Sequence, residues 1–390
     1  MKKIITCLLT FGRAYSRSAK PMRASFRSCL LVAFAMFGLA TGCCQQNYEN
    51  TDPEGFAKLI SEPGVVVLDV RTAEEFNEGH IEGALLIDWK QDGFTEKAKA
   101  TLPKDKTIAV YCRSGRRSAG AAELLAAEGY KPVNLLGGIL AWKEANMPVT
   151  TDTYEVDVFQ TKSGKTVKFH ALMHASIRMV YDGRSATEGD ACSEGLKKEI
   201  EIDPVLKLRE RTIDYNKMPK ADYIFVTHEH MDHFDKEAIK QLTKDGTQLI
   251  TNKRCGDMLG YGKVMSNGDK LQIADDFMVE AVPAYNTTEA NQKFHPKGRD
   301  NGFILTIDGL RIYIAGDTED IPEMTDIKDI DIAFMPCNQP FTMTPDQLVK
   351  AAKVVKPKVL FPYHYGETNV SGIPELLKAE GIDVRIRHYE

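Results

Sequence analysis

Three of the nine histidines in this 390-residue chain, His228, His230 and His233, fall within six residues, with Asp232 among them. They follow Tyr223-Ile224-Phe225-Val226, an apolar run that reads as a buried strand. A strand that empties into a loop can aim several closely spaced side chains at one point. Imidazole and carboxylate are the donors that suit zinc, iron or manganese. A solvated polar loop has no reason to gather a third of the histidines. The stretch calls for a fold in which a buried strand delivers ligands to a metal.

The length is comfortable for two domains. Apolar (43%) and charged (27%) fractions allow each to bury a core. A net charge of −5 gives no electrostatic footprint for nucleic acid, so no such partner is expected. A seam near residues 147–152 divides a first domain, 45–150, from a second, 151–390. In the first, β-branched or apolar runs at 65–70, 108–111 and 133–136 alternate with helical stretches, one of them at 118–128. That order indicates an α/β domain with a parallel sheet. The second is richer in strands, with a hairpin expected at 303–307 and 311–315 through Asp308-Gly309. Helices are expected at 236–242, 345–355 and 374–380. The fold class is α/β, with strands covered by helices in both parts.

Cys112-Arg113-Ser114-Gly115-Arg116-Arg117-Ser118 lies between a buried strand and a helix. The amides of such a loop and the helix N-terminus form an anion cradle. That field and three arginines favour an accessible thiolate at Cys112, able to carry a sulfane sulfur as a persulfide. The other reading is a buried, inert cysteine beside a solvated basic turn. Eight cysteines are present, but those at 112, 192, 255 and 337 are widely spaced and show no disulfide framework.

From about residue 167 to 390 the sequence resembles the metallo-β-lactamase superfamily, whose signature is H-x-H-x-D-H. The likeness is to its ascorbate-lactonase-like branch. Supporting segments are His174-Ala175-Ser176, Ile202-Asp203-Pro204, Pro283-Ala284-Tyr285, Ala315-Gly316-Asp317-Thr318 and Pro362-Tyr363-His364-Tyr365. The resemblance implies an αββα sandwich with two divalent metal ions, zinc first, with manganese or iron as alternatives. His228 and His230 would hold the first, Asp232 and His233 the second. Asp317 would bridge them, and His364 would complete the second site. A metal-activated hydroxide would attack an ester, lactone or phosphodiester, with Asp232 counted among the catalytic residues. Where many relatives carry a histidine after Pro-Ala-Tyr, this chain has Asn286, and His295 is taken as the replacement ligand. The alternative is a loop histidine and a weaker or mononuclear site. His174 is open between supporting a ligand and a purely structural role, and His170 and His388 are read as structural. Residues 184–198, with Cys192, look like an insertion in a turn.

Residues 52–148 resemble rhodanese domains through Leu68-Asp69-Val70-Arg71, Glu74-Glu75-Phe76, Gly79-His80-Ile81-Glu82-Gly83-Ala84 and Gly137-Gly138-Ile139 with Trp142. The loop from Cys112 to Arg117 then matches the short form used for sulfur transfer, one residue shorter than that of the related phosphatases. Arg113, Arg116 and Arg117, with Ser114, Gly115 and Ser118, would hold the anionic donor or the persulfide. Asp69 and His80 are structural in this motif.

Residues 1–44 read as an export signal, with Arg23 and Arg27 before an apolar run that ends at Ala40-Thr41-Gly42-Cys43. That ending resembles a bacterial lipoprotein signal, in which a lipidated Cys43 attaches the mature protein to a membrane. A plain cleaved signal or an uncleaved anchor are the alternatives, and Met22 is read as the true start. The expected protein is an exported two-domain enzyme, periplasmic or membrane-anchored. It would act on a small-molecule substrate and take a sulfane-sulfur donor at the rhodanese-like domain. Two other readings stand beside it: a persulfide dioxygenase paired with a sulfurtransferase, and a rhodanese block that only binds or senses redox state.

Overall fold

The runs of β-branched and apolar residues in the first block pair side by side. In the computed structural model, which describes residues 47–151, 153–185 and 197–389, they form a five-stranded parallel sheet. Its order is Glu49–Thr51, Lys131–Leu135, Thr107–Tyr111, Val65–Asp69 and Leu85–Leu86. Central strands of a parallel sheet are covered on both faces, and hence read as continuous apolar runs rather than alternating ones. Leu68, Ile108 and Val110 pack under Ala121, Ala122 and Leu125 of the Arg116–Ala127 helix. On the other face Val67, Ala109 and Tyr111 meet Phe56, Ile139 and Trp142. Asp69 and Arg71 form a buried ion pair at 2.6 Å, and Tyr111 Oη accepts from the Ile81 amide. His80 Nδ1 lies 3.0 Å from Phe76 O, so these motif residues hold the fold together.

The second block builds two seven-stranded sheets packed face to face. The first runs from Lys263–Val264 through Gln248–Thr251, Tyr223–Val226, Lys197–Ile202, Ser176–Ser185 and Lys165–Met173 to Val156–Gln160. The second runs from Lys270–Ala274 through Phe277–Ala284, Asp300–Ile307, Leu310–Ile314, Ile332–Pro336 and Val359–Tyr363 to Asp383–Val384. Alternate residues point inward, as a period of two requires. Phe169, Ile177, Met179, Ile202 and Phe225 thus meet Phe277, Phe303, Ile314, Phe334 and Phe361 in one core. The Lys236–Leu242 helix covers the first sheet, and the Pro345–Val355 and Ile373–Leu377 helices cover the second. The expected hairpin forms, with Ile307 opposite Leu310 and Asp308 at φ 45°. Its second strand stops at Ile314, one residue short of the expected end.

The blocks meet through charge. Glu82 of the first block accepts from Lys168 at 2.8 Å and lies 2.9 Å from His170 Nε2. Burial alone would raise the Glu82 pKa, but the His170 hydrogen bond and the Lys168 charge hold it well below the usual carboxylate range. Within the second block, Arg385 and Arg387 clasp the buried carboxylate of Asp157 at 2.7–2.8 Å, tying the final segment to the first strand. No helix among the described residues is long and apolar enough to cross a membrane. Cys43, with the expected signal, and Cys192, within the expected insertion, lie outside the described residues.

Candidate metal centre and cysteine loop

Tyr223–Val226 is buried at every residue and is flanked by parallel strands on both sides. It runs straight into Thr227-His228, so its position fixes where the histidines emerge. Asp317 follows Leu310–Ile314 by a few residues, and His364 follows Val359–Tyr363 directly. Strands from both sheets therefore end at one edge of the sandwich and discharge their ligands there.

His228, His230, His295 and Asp317 form one group whose donor atoms all lie within 4.8 Å of one another. His233, Asp317 and His364 form a second, and His174, Asp232 and His364 a third. Asp317 Oδ2 stands 3.3 Å from His295 Nε2 and 3.4 Å from His364 Nε2, while Oδ1 stands 3.2 Å from His233 Nε2. The carboxylate thus faces both groups, as a bridging ligand must. Nε2 of His228, His233, His295 and His364, and Asp317 Oδ1, are buried without a hydrogen-bond partner among the described residues. Leaving one such atom unmet costs about 1–3 kcal/mol. Five converging at one point fit divalent cations, and the histidine–carboxylate set suits zinc, manganese or iron.

The opposite ring nitrogens of His228, His233 and His295 are occupied, whereas His364 Nδ1 meets no hydrogen-bond partner among the described residues. His233 Nδ1 lies 2.8 Å from Asp203 Oδ2, which also accepts from the Thr227 hydroxyl at 2.8 Å. Asp203 Oδ1 takes the Thr227 amide at 2.7 Å. Thr227 Oγ1 in turn stands 3.0 Å from His228 Nδ1, so a single carboxylate orients both rings with Nε2 toward the metal edge. His295 Nδ1 lies 3.2 Å from Asp300 Oδ2, and Arg299 holds Asp300 at 2.7 and 2.8 Å. Sequence reasoning missed Asp203 and Asp300 as positioning residues. Asp203 stood within a matched segment at a strand end, but its partner His233 is 30 residues away.

The electrostatics follow from this packing. Burial would raise Asp317, but His364 and His233 outweigh it and hold the carboxyl well below its usual range. Asp232 is likewise held low against burial by His174 and His364. Burial and the neighbouring His233 lower His228. His295 is raised to about 9, because Asp300 and Asp317 overcome its burial. In the same way Asp317 and Asp203 raise His233 well above its ordinary value. The carboxylates thus favour the protonated imidazoles of His295 and His233, and a metal bound there would displace such protons.

His295 reaches the centre because its loop folds back on the position it replaces: the Asn286 amide donates to His295 O at 2.8 Å. The Asn286 side chain points its Nδ2 at Asn291 O and Phe341 O. His170 serves the contact with the first block, and His388 lies 3.1 Å from Glu155.

At the other candidate site, the carbonyls of Cys112 and Arg113 accept from the amides of Ile139 and Leu140 at 2.8 and 3.1 Å. Gly138 permits that approach, since a Cβ there would overlap Cys112 O. The amides of Arg113 to Ser118 find no backbone acceptor among the described residues, which leaves a nest at the start of the Arg116–Ala127 helix. Two expectations need correction. The Cys112 side chain is buried, at 1% exposure, within the core cluster that holds Leu68, Val70 and Val110, and Ser118 Oγ lies 3.4 Å from its sulfur. Arg117 is engaged in a bidentate pair with Glu75, both contacts 2.7 Å, rather than left to bind an anion. That pair is the main reason Glu75 falls to about 2. Arg113 and Arg116 have no such partner among the described residues.

Residues 52–145 match the rhodanese-like domain family, and residues 192–364 match the beta-lactamase superfamily domain. A UPF0173 metal-dependent hydrolase of Archaeoglobus fulgidus is 30% identical over 207 residues, covering 50% of this chain and 89% of that protein. One from Nanoarchaeum equitans is 30% identical over 178 residues, 43% of this chain and 77% of its own length. A solved Parabacteroides distasonis structure, assigned to the metal-dependent hydrolases, is 48% identical with a TM-score of 0.55. It is matched over 100% of its length and 61% of this chain.

Proposed function

The chain belongs to the UPF0173 metal-dependent hydrolases of the beta-lactamase superfamily and carries a rhodanese-like domain, and from that premise we propose a two-ion hydrolase joined to a sulfurtransferase. The observation that carries the hydrolase reading is the convergence of buried, unmet donor atoms from both sheets at one edge. His228, His230 and His295 would hold the first ion and Asp232, His233 and His364 the second, with Asp317 between them. Bound ions bring the pKa of water to about 7 and polarise the substrate oxygen under attack. Asp203 and Asp300 would keep the imidazoles of His228, His233 and His295 in the tautomer that presents Nε2. The substrate class we propose is an ester, lactone or phosphodiester.

The test is metal analysis of the native protein, then assays on lactone, ester and phosphodiester panels before and after chelation. Hydrolysis lost on chelation and restored by zinc, manganese or iron supports the reading. Turnover indifferent to metal removal refutes it, and oxygen consumption with a glutathione persulfide would replace it with dioxygenase chemistry.

In the sulfurtransferase, the Cys112 thiolate attacks the outer sulfur of thiosulfate. The S–S bond breaks, sulfite leaves with its electron pair, and Cys112 carries a persulfide. Cyanide then removes the outer sulfur as thiocyanate and returns the thiolate. The amide nest with Arg113 and Arg116 offers the anion its contacts, and Arg117 braces the loop through Glu75. The burial of Cys112 favours a second reading, in which the block binds or senses without turnover. Thiosulfate-to-cyanide transfer lost in Cys112→Ser supports catalysis, while its absence from the native protein supports the second reading. We further propose export with lipidation at Cys43, tested by palmitate labelling that Cys43→Ala abolishes.

A further inference from the structure

Seven side chains account for two ions and leave His174 unexplained. It occupies the turn between Lys165–Met173 and Ser176–Ser185, is buried, and sits at φ 54°, a left-handed conformation that glycine adopts readily and histidine rarely. Two hydrogen bonds impose it. The His174 amide donates to Tyr389 O at 2.8 Å, and its carbonyl accepts from the His364 amide at 3.3 Å. His364 is itself left-handed, at φ 47°, so two strained histidines are tied to each other. Non-glycine residues held in such conformations cluster at functional sites. Their ring centroids are 3.8 Å apart. His174 Nε2 stands 3.3 Å from Asp232 Oδ2, which is 3.4 Å from His364 Nε2. Donor atoms of the three residues all lie within 4.8 Å of one another.

We propose that His174 is a further ligand of the second ion, binding it together with Asp232 and His364. The inference rests on the reading that this edge holds two ions. Because His364 also belongs to the His233–Asp317–His364 group, the second ion would draw on five candidate donors, His174, Asp232, His233, Asp317 and His364, one more than a tetrahedral zinc site uses. The left-handed turn is what brings His174 to the edge, since the strands on either side of it pair with each other.

The test is cobalt(II) titration of metal-free full-length protein, following stoichiometry by metal analysis and coordination by visible absorption. His174→Gly suits the backbone, and His174→Gln keeps an N–H for Asp232 while supplying a poor ligand. Circular dichroism of the metal-free proteins confirms that both fold. The expected result is two ions in the wild type, with the second bound at least about tenfold more weakly in both variants. Its absorption should intensify as the coordination number falls, and added imidazole should restore its affinity in His174→Gly. Wild-type affinity and spectrum in His174→Gln would reduce His174 to a hydrogen-bond donor and overturn the proposal, as would weakened binding with an unchanged spectrum. Two ions held equally by the wild type and His174→Gly overturn it alone, while a wild type that takes one ion overturns the two-ion reading and His174 with it.

Discussion

Replacing Asp203 by asparagine changes one atom and should disturb both of the proposed ion sites. Asp203 accepts the Thr227 amide at 2.7 Å, the Thr227 hydroxyl at 2.8 Å and His233 Nδ1–H at 2.8 Å, all while fully buried. Asparagine can accept through only one of its two terminal atoms. If its oxygen stays on the Thr227 amide, its NH2 group faces His233 Nδ1, and that ring must move its proton to Nε2, the atom aimed at the second ion. The Thr227 hydroxyl, then accepting from the same NH2, turns its own proton toward His228 Nδ1 and flips that tautomer as well. Loss of such outer support costs 10–100-fold in metal affinity. Two rings disturbed by one change place the expected loss near the upper bound, about 2.7 kcal/mol at 1.36 kcal/mol per tenfold. If the side chain turns the other way, the buried Thr227 amide loses its acceptor and folding stability falls by about 1–3 kcal/mol. Chelator-competition titrations and thermal unfolding of the metal-free protein measure the two outcomes. Asp203→Asn protein with both wild-type affinities and an unchanged melting temperature would refute the argument.

Other perturbations test the remaining links. His295 titrates near 9 without metal, so affinity for the first ion should rise about tenfold per pH unit below 9 and level off above it. His295→Ala should remove that slope and one ion, whereas unchanged stoichiometry would return His295 to the loop. In Gly138→Ala the new methyl would overlap Cys112 O and approach Arg113 C to 2.7 Å at φ 61°. Sulfur transfer and melting temperature should both drop, by roughly 2 kcal/mol or more in stability, with metal content intact; unaltered transfer would count against the loop reading. Because the folded-state pKa of Glu82 is depressed, its contribution is present above the ordinary value of about 4.3 and drains away as pH falls below it. The stability gap between wild type and Glu82→Gln should therefore be constant from pH 7 to 5 and narrow in more acidic solution, and a gap that widens on acidification would reverse the assignment.

Much of this was legible because both sites hang on strand ends. Apolar runs such as Tyr223–Val226 and Thr107–Tyr111 are visible in the sequence, and the chemistry-bearing residues follow them directly. The hairpin around Asp308-Gly309 was readable for a similar local reason. What stayed hidden depends on partners distant in the chain. Asp203 is 30 residues from His233, Glu75 is 42 from Arg117, and Glu82 is 88 from His170. Nothing local shows that Arg117 pairs with Glu75 rather than with an anion, or that Cys112 is covered. His295 could be selected as the spare histidine, but its return to Asn286 required the loop geometry.

Asp317 has a consequence for how the protein fills. One oxygen faces His295 and His364 and the other faces His233, so, on the two-ion proposal, an ion on either side would fix a carboxylate that the other also uses. The first arrival would meet the cost of drawing that carboxylate out of its histidine contacts, and the second would be spared it. Linkage makes the effect mutual, whichever ion comes first. A population short of metal would then divide into empty and fully loaded molecules, with few half-loaded ones between. Activity would track supply as a threshold rather than in proportion.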